Sequence, residues 1–440
     1  MTIAMSLNSV VAIESFSPEA RYVHSSVLVG SRIYFFGGEK VDSEPVNEVF
    51  YLDVSQEFHI ASAPWTDLTA SAAIPFLSSW ATVTTREVNN NQIIYLFGGY
   101  MLDPTTSKDS FTSIIHTFNT TSIQWSTPQI QGTVPQRRRN IDSVLDDSGN
   151  MYIFGGYYVE HTEPLQDMFN DMIIINTNTL SISPGSSQNG PSQRCAYTAT
   201  LLPNGTIVYI GGYKTPTNGE SPVVNITEIY LYDTKLDTWS LTWADNINSI
   251  ESRYLHTAVL AFDDGIIIYG GVKDALGYQY IKVAPDFAVL NTSTFEWIVP
   301  QVSSKAGSIP SLTGHSANLV GNYMVIAFGN ITRPDAPTTE RNPKIYLMDT
   351  RSYTWIDTFN PKSLHQNQNH TKIIIIVTLC GVAGVSIIII IGLLIYKRNK
   401  KREGILLIYG SERSDEILKI SGTESESEYI EKSRNSKIIK

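Results

Sequence analysis

Six times along this chain an apolar run ends on a glycine pair or its remnant, and the interval between copies hardly varies. The phrases are FFGG at Gly37 and Gly38, LFGG at Gly98 and Gly99, IFGG at Gly155 and Gly156, YIGG at Gly211 and Gly212, IYGG at Gly270 and Gly271, and the worn copy AFGN at Gly329. With Gly329 taken as the counterpart of each first glycine, the intervals are 61, 57, 56, 59 and 59 residues. A phosphate-cradling glycine loop occurs once per domain and opens a helix. A phrase returning at this period marks a stack of like units instead.

Other landmarks keep step with the glycines. Upstream of them stand RYVHS (Arg21, His24), RNIDS (Arg139, Asp142), RCAYT (Arg194, Tyr197), RYLHT (Arg253, His256) and LTGHS (His315), while the second unit reads LSSWA around Trp80. Downstream comes a further apolar run closed by Asp or Asn, then an aromatic: Trp125, Trp239, Trp297 or Trp355, with Phe58-His59 in the first unit and Ile182 in the third. Short apolar runs separated by Gly, Asn and Asp turns read as four strands per unit. A sheet this small has two apolar faces and buries them only against copies of itself. Stacking in a ring achieves that and leaves short edges. Glycine at the end of a strand then marks close backbone approach.

Gly-Gly behind an apolar strand, a downstream Tyr-Asp and a following Trp resemble the kelch repeat. The resemblance covers residues 17–358 and implies an all-β, six-bladed kelch-type propeller. No strand is visibly split between the two termini, so the sequence does not say how the ring closes.

Residues 373–396, IIIIVTLCGVAGVSIIIIIGLLIY, run without a charge and are expected to form a single transmembrane helix. The KRNKKR that follows places residues 397–440, a charged Ser/Glu-rich tail, in the cytosol as a disordered segment free to bind cytosolic proteins. The propeller is thereby expected on the lumenal or extracellular side. Residues 1–16 resemble a degenerate or truncated signal peptide without a basic start, and 359–372 form a polar stalk. Sequons at Asn119, Asn204, Asn225, Asn291, Asn330 and Asn369 all precede the anchor. The net charge of −10 divides into 20 Lys/Arg against 34 Asp/Glu over residues 1–371, a net −14, and +4 beyond. So acidic a domain excludes nucleic acid as a partner.

Catalytic signals are sparse. His24, His256 and His315 share one repeat position and read as spacers bonding neighbouring backbone rather than as metal ligands. The alternative is a membrane-tethered copper-radical oxidase like galactose oxidase, whose propeller is kelch-like. It needs a Tyr–Cys cross-link, and Cys195 is the one cysteine before the anchor; no partner tyrosine or histidine pair follows from spacing. No catalytic or metal residue and no cofactor is assigned. The better-supported function is ligand recognition, of a protein or a glycan, on the face built by the long connections between second and third strands. Tyr100, Tyr157, Tyr158, Tyr213, Tyr278 and Tyr280 lie on those connections, and Arg137, Arg138 and Arg139 enter the same face. An inert scaffold is the third reading. The last outer strand runs toward the elaborated face, so the stalk is expected to leave from there.

Overall fold

The computed structural model describes residues 16–362, apart from 110–111, 159–166, 216–220, 248, 275–279 and 335–339. The apolar segment 373–396, the tail, residues 1–15, Tyr278 and Asn369 lie outside the described residues. Among the described residues, no helix is long and apolar enough to cross a membrane.

Six sheets built on four antiparallel strands follow one another, at residues 25–67, 82–126, 143–184, 198–243, 257–298 and 316–356, here blades 1 to 6, and the sixth gains a short parallel fifth strand at Ser303–Ser304. The second strand of each blade is buried on both faces, which is why it reads as a continuous apolar run rather than an alternating one. In Arg32–Phe36, Ile33 and Phe35 join the core shared with blade 6, while Tyr34 and Phe36 join the core shared with blade 2. In Gly265–Tyr269, Ile266 and Ile268 face blade 4, and Ile267 and Tyr269 face blade 6. Six such cores, one per junction, make a closed circuit. The outer-strand tryptophan reaches back into the preceding blade: Trp125 to Phe36 (5.6 Å), Trp239 to Phe154 (5.0 Å) and Trp355 to Tyr269 (5.3 Å).

Blade 1 departs from its sequence pattern. Its outer strand is Trp65–Asp67, and it is Trp65 that meets blade 6, 5.8 Å from Phe328. Phe58–His59, expected in that role, pairs instead with Thr358–Phe359 near the end of the described chain. An insertion between the third and outer strands of blade 1 thus becomes a clasp on the chain's far end. Phe359 stacks on Phe58 and meets Tyr323, each at 5.2 Å, and Tyr323 follows the short turn between the first two strands of blade 6. The chain therefore reaches the short-turn face at Phe359, not the elaborated face expected for the stalk.

A second device closes the ring at its hub. Val23, Trp80, Asn140, Ala196, Leu255 and Gly314, one per blade, all adopt φ between 48° and 59°. Each N–H donates to the carbonyl of its counterpart one blade back, at 2.8–3.2 Å, and Val23 completes the cycle by donating to Gly314. Left-handed backbone costs a non-glycine residue about 1 kcal/mol or more. The six-membered hydrogen-bond cycle and the packing around it hold the strained geometry.

The glycine pairs answer to this crowding. A Cβ on Gly270 would lie 2.1 Å from the Leu312 carbonyl oxygen of the next blade, and one on Gly37 would lie 2.1 Å from that of Ser78. In blade 6 the register differs from the sequence reading. Gly329 packs against His315 as the second glycines pack against their own first strands, and Phe328, at φ 60°, holds the first-glycine place.

Candidate functional site

Above the hub, on the face of the long connections, each blade carries a minimal antiparallel pair formed by the residue before the hub position and the residue after the glycines. The pairs are Tyr22 with Glu39, Ser79 with Tyr100, Arg139 with Tyr157, Cys195 with Tyr213, Tyr254 with Val272, and Thr313 with Asn330. Arg139 is the only cation among these twelve residues. Its guanidinium carbon stands 5.2 Å from the Tyr100 ring centre and 4.9 Å from that of Tyr157. Two aromatic faces of negative quadrupole thus hold one positive charge. Burial pushes the Tyr100 hydroxyl pKa upward, with Arg139 opposing the shift, and Tyr100 stays protonated near neutrality. Gly99, Tyr100, Asp109, Tyr157, Tyr158 and the three arginines line a shallow hollow here.

The three consecutive arginines separate into three roles. Arg137 is half-buried and paired with Asp109. Arg138 is 2% exposed and donates to the Gly155 carbonyl (3.1 Å) and to Asp171 (2.6 Å). It repeats Arg21 on Gly37 and Arg253 on Gly270, each buried and bonded to the first glycine's carbonyl at 3.0–3.1 Å. Arg138 is therefore a strut and is withdrawn as a ligand contact. The counterpart of Arg21 is Arg138, not Arg139, and the counterpart of His24 is Ile141, not Asp142; in blade 2 it is Ala81, with Trp80 at the hub. Three arginines in a row look alike in sequence, and only depth tells them apart.

Of the other expected residues, Tyr157 is 9% exposed, Tyr158 is half-buried beside it, and Tyr213 meets Tyr254 edge-on at 5.3 Å. Tyr280 begins the strand Tyr280–Lys282 of blade 5, paired with Val272–Asp274. Sequence reasoning missed the facing side of the mouth. There Glu39 accepts from Ser79 Oγ (3.0 Å) and Trp80 Nε1 (2.6 Å), and Arg341 lies over Tyr22 at 3.8 Å. The repeat alignment itself carried the missing signal, because Tyr22 and Glu39 occupy the positions of Arg139 and Tyr157.

Below this ring the axial channel, about 240 Å³, is lined by the first strands. His24 bonds Ser316 (2.8 Å), His256 bonds Thr198 (3.0 Å) and His315 bonds Thr257 (2.8 Å), each hydroxyl belonging to the preceding blade. The expected spacer role holds, with side-chain hydroxyls as partners rather than backbone. Burial keeps all three neutral, His315 down to about 3. Asp142 accepts from Ser143 N (2.9 Å) and Ala199 N (3.0 Å), and burial raises its pKa to about 6.

These residues do not fit a copper-radical centre. Cys195 faces Tyr213 across its strand pair, but burial pushes its thiol up to about 12, and the hub histidines spend Nε2 on hydroxyls. Among the described residues, no group of three His, Cys, Asp or Glu side chains is placed to hold a metal ion.

The sequons divide by position. Asn119 and Asn291 sit where other blades carry Asp53, Asn176, Asp233 or Asp349, and their Oδ1 atoms accept from the backbone two and three residues on. Turn chemistry alone explains an Asn followed by Thr and Ser there. Asn204 and Asn225 are exposed. Asn330 is 5% exposed with Oδ1 accepting from Arg341 (2.6 Å), so the folded ring withholds it from modification.

Comparison with known proteins agrees with this geometry. The chain is 27% identical over 330 residues to Kelch domain-containing protein 3 of Bos taurus, covering 72% of this chain and 79% of that one. It is 25% identical over 297 residues to Host cell factor of Drosophila melanogaster, covering 61% of this chain and 18% of that one. The solved structure of YjhT superposes with a TM-score of 0.53 at 14% identity, over 76% of this chain and 96% of that one, which supports the fold alone. The family model described as "KLHDC2/KLHL20/DRC7 Kelch-repeats domain" matches residues 24–271. With its six glycine-hinged blades and buried arginine struts, the chain belongs to the kelch-repeat family.

Proposed function

We propose that the propeller is a protein-interaction module whose elaborated face receives an extended segment of a partner at the Tyr100–Arg139–Tyr157 cluster. The observation that carries this reading is Arg139. Its counterparts in the other blades are Tyr22, Ser79, Cys195, Tyr254 and Thr313, so the cation serves no repeat-wide structural need. Its Nε has no hydrogen-bond partner among the described residues. A carboxylate or another anionic group on the partner suits a planar guanidinium held between two rings, and the rings offer rigid apolar contact to its neighbours. The reading of 373–396 as a single-pass anchor, with the ring outside the cytosol, rests on that segment's apolar length and on the charges of KRNKKR.

The test places a photo-crosslinking amino acid at Tyr158 in the full chain in cells and compares the adducts with those of Arg139→Ala and Tyr157→Phe. Loss of the adduct with Arg139→Ala at an unchanged melting temperature is the expected result. The same adduct in equal yield would remove the proposal. Arg138→Ala is not a usable variant, because it strips a buried strut. Surface biotinylation together with a glycosidase shift tests the side on which the ring lies.

A further inference from the structure

The outer edges of the blades are not treated alike. In blades 3, 5 and 6 the connection arriving from the previous blade runs parallel along the outer strand and fills its open hydrogen bonds. Gln131 N donates to Leu180 O and Ile182 N to Gln131 O; Asp245 N donates to Phe295 O and Trp297 N to Asp245 O; Ser303 N donates to Tyr353 O and Lys305 N to Trp355 O, all at 2.8–3.1 Å. Blade 4 has no such strap among the described residues. Its incoming connection crosses over the Trp239 indole instead, Ser186 O accepting from Nε1 at 2.7 Å and Ser186 N donating to Asp237 at 2.6 Å. Among the described residues blades 1 and 2 also show no parallel strap, but their outer strands have three residues each, whereas Thr238–Trp243 has six.

The ladder phase shows what this edge offers. Ala244 N donates to Thr227 O at 2.8 Å, so Thr238, Ser240 and Thr242 bond inward, and Trp239, Leu241 and Trp243 turn their N–H and C=O outward. Trp239 is the counterpart of Ile182 and Trp297, whose N–H groups the straps satisfy. Beyond the sheltered Trp239, Leu241 and Trp243 lie on the same face of the strand, 41% and 62% exposed. A long, flat edge with apolar side chains is what natural sheets otherwise cover. Its ends are acidic. Asp237 and Asp245 are exposed there, while Glu228, opposite Trp243, is paired with Arg194 (2.7 Å) and the ammonium of Lys235 is drawn to the Asn204 carbonyl (2.8 Å).

We propose that the outer edge of blade 4 docks an extended segment of a protein partner that adds itself as a fifth strand, with alternating apolar side chains over Leu241 and Trp243 and basic residues at its ends. The straps of the other blades show the geometry such a strand would take, and main-chain bonds with alternate pockets are how sheet edges capture peptides. A second copy of this chain is the poorer occupant, since antiparallel pairing of two such edges sets acid against acid. The site is separate from the Arg139 face and stands or falls independently of it.

The probe is a labelled nine-residue peptide alternating valine and threonine with lysine at both ends, titrated against the full chain beside a twin ending in glutamate. Preference for the lysine peptide is expected, with affinity falling at least tenfold for Leu241→Pro, which removes an outward N–H, and for Trp243→Ser. Trp243→Ser touches only an exposed side chain and so keeps the test valid if the proline variant fails to fold. Equal binding of both peptides, no binding of either, or affinity unchanged by Trp243→Ser would overturn the proposal. So would a dimer of the full chain that Trp243→Ser dissociates, which would give the edge to a second copy.

Discussion

The junction between blades 6 and 1 and the junction between blades 5 and 6 solve one problem with different materials. Between 5 and 6 the chain is continuous, and Gly270 admits the Leu312 carbonyl to where a Cβ would sit. Between 6 and 1 no peptide bond joins the blades in sequence order, and the matching place is Phe328. Its ring meets Phe35 (5.6 Å), Phe50 (6.0 Å) and Trp65 (5.8 Å), with the Arg21 guanidinium 5.7 Å away. Backbone contact survives, since Gly329 N still donates to Arg21 O at 2.8 Å. The clasp of Phe58–His59 on Thr358–Phe359 adds a second attachment. Where covalent continuity is missing, aromatic mass and a borrowed strand pair replace it, and no blade has to be shared between the termini.

Acid gives the largest test of that contrast. The neutral, buried His24, His256 and His315 sit on the 6/1, 4/5 and 5/6 junctions and take up protons only on unfolding. Stability from each is intact above the unfolded value near 6.5 and falls as pH drops, by about 2 kcal/mol apiece at pH 5. Asp142 works the other way, its pKa of about 6 restoring about 1 kcal/mol over the same range. His116 in blade 2, held down to about 4 by burial, adds about as much as each of those three histidines. A net loss of about 6–7 kcal/mol is therefore expected in chemical denaturation between pH 7 and pH 5. Amide exchange should then quicken least in blade 3, which carries Asp142 and none of these histidines. Uniform quickening would mean that the histidines are not the cause.

Phe328→Ala comes next, at about 3–5 kcal/mol, because it empties the centre of the closing core. A loss below about 1 kcal/mol would show that the clasp and hub seal the ring without it. The smallest effect belongs to the rim of the clasp. His59 and Asp357 are half-exposed and 3.6 Å apart, so His59→Gln is expected to cost less than about 1 kcal/mol by thermal melting.

The blades were legible because their signals are local: a turn, a doubly buried strand and a glycine pair recur in short stretches. Closure was not, because Phe58 meets Phe359 and Phe328 meets Trp65 across most of the chain, and no spacing rule encodes either contact. At the site, Tyr100 and Tyr157 were readable from their place after the glycines, but the exchange of roles between Arg138 and Arg139 was not. A one-residue shift separates a buried strut from a half-buried cation between two rings, and the hub residue that sets it, Asn140, resembles an ordinary turn asparagine. Trp65 escaped because the insertion before it displaced it from the expected interval.

The hub cycle also bears on what counts as the beginning of this molecule. Six equivalent residues hand one hydrogen bond each around a loop without an end, so no blade is first as far as the axis is concerned. New termini cut into the short turn at Asn204 and Gly205, with the old ends joined by a linker, would leave every axial bond intact. Deleting a whole repeat would leave five partners to span a circumference built for six.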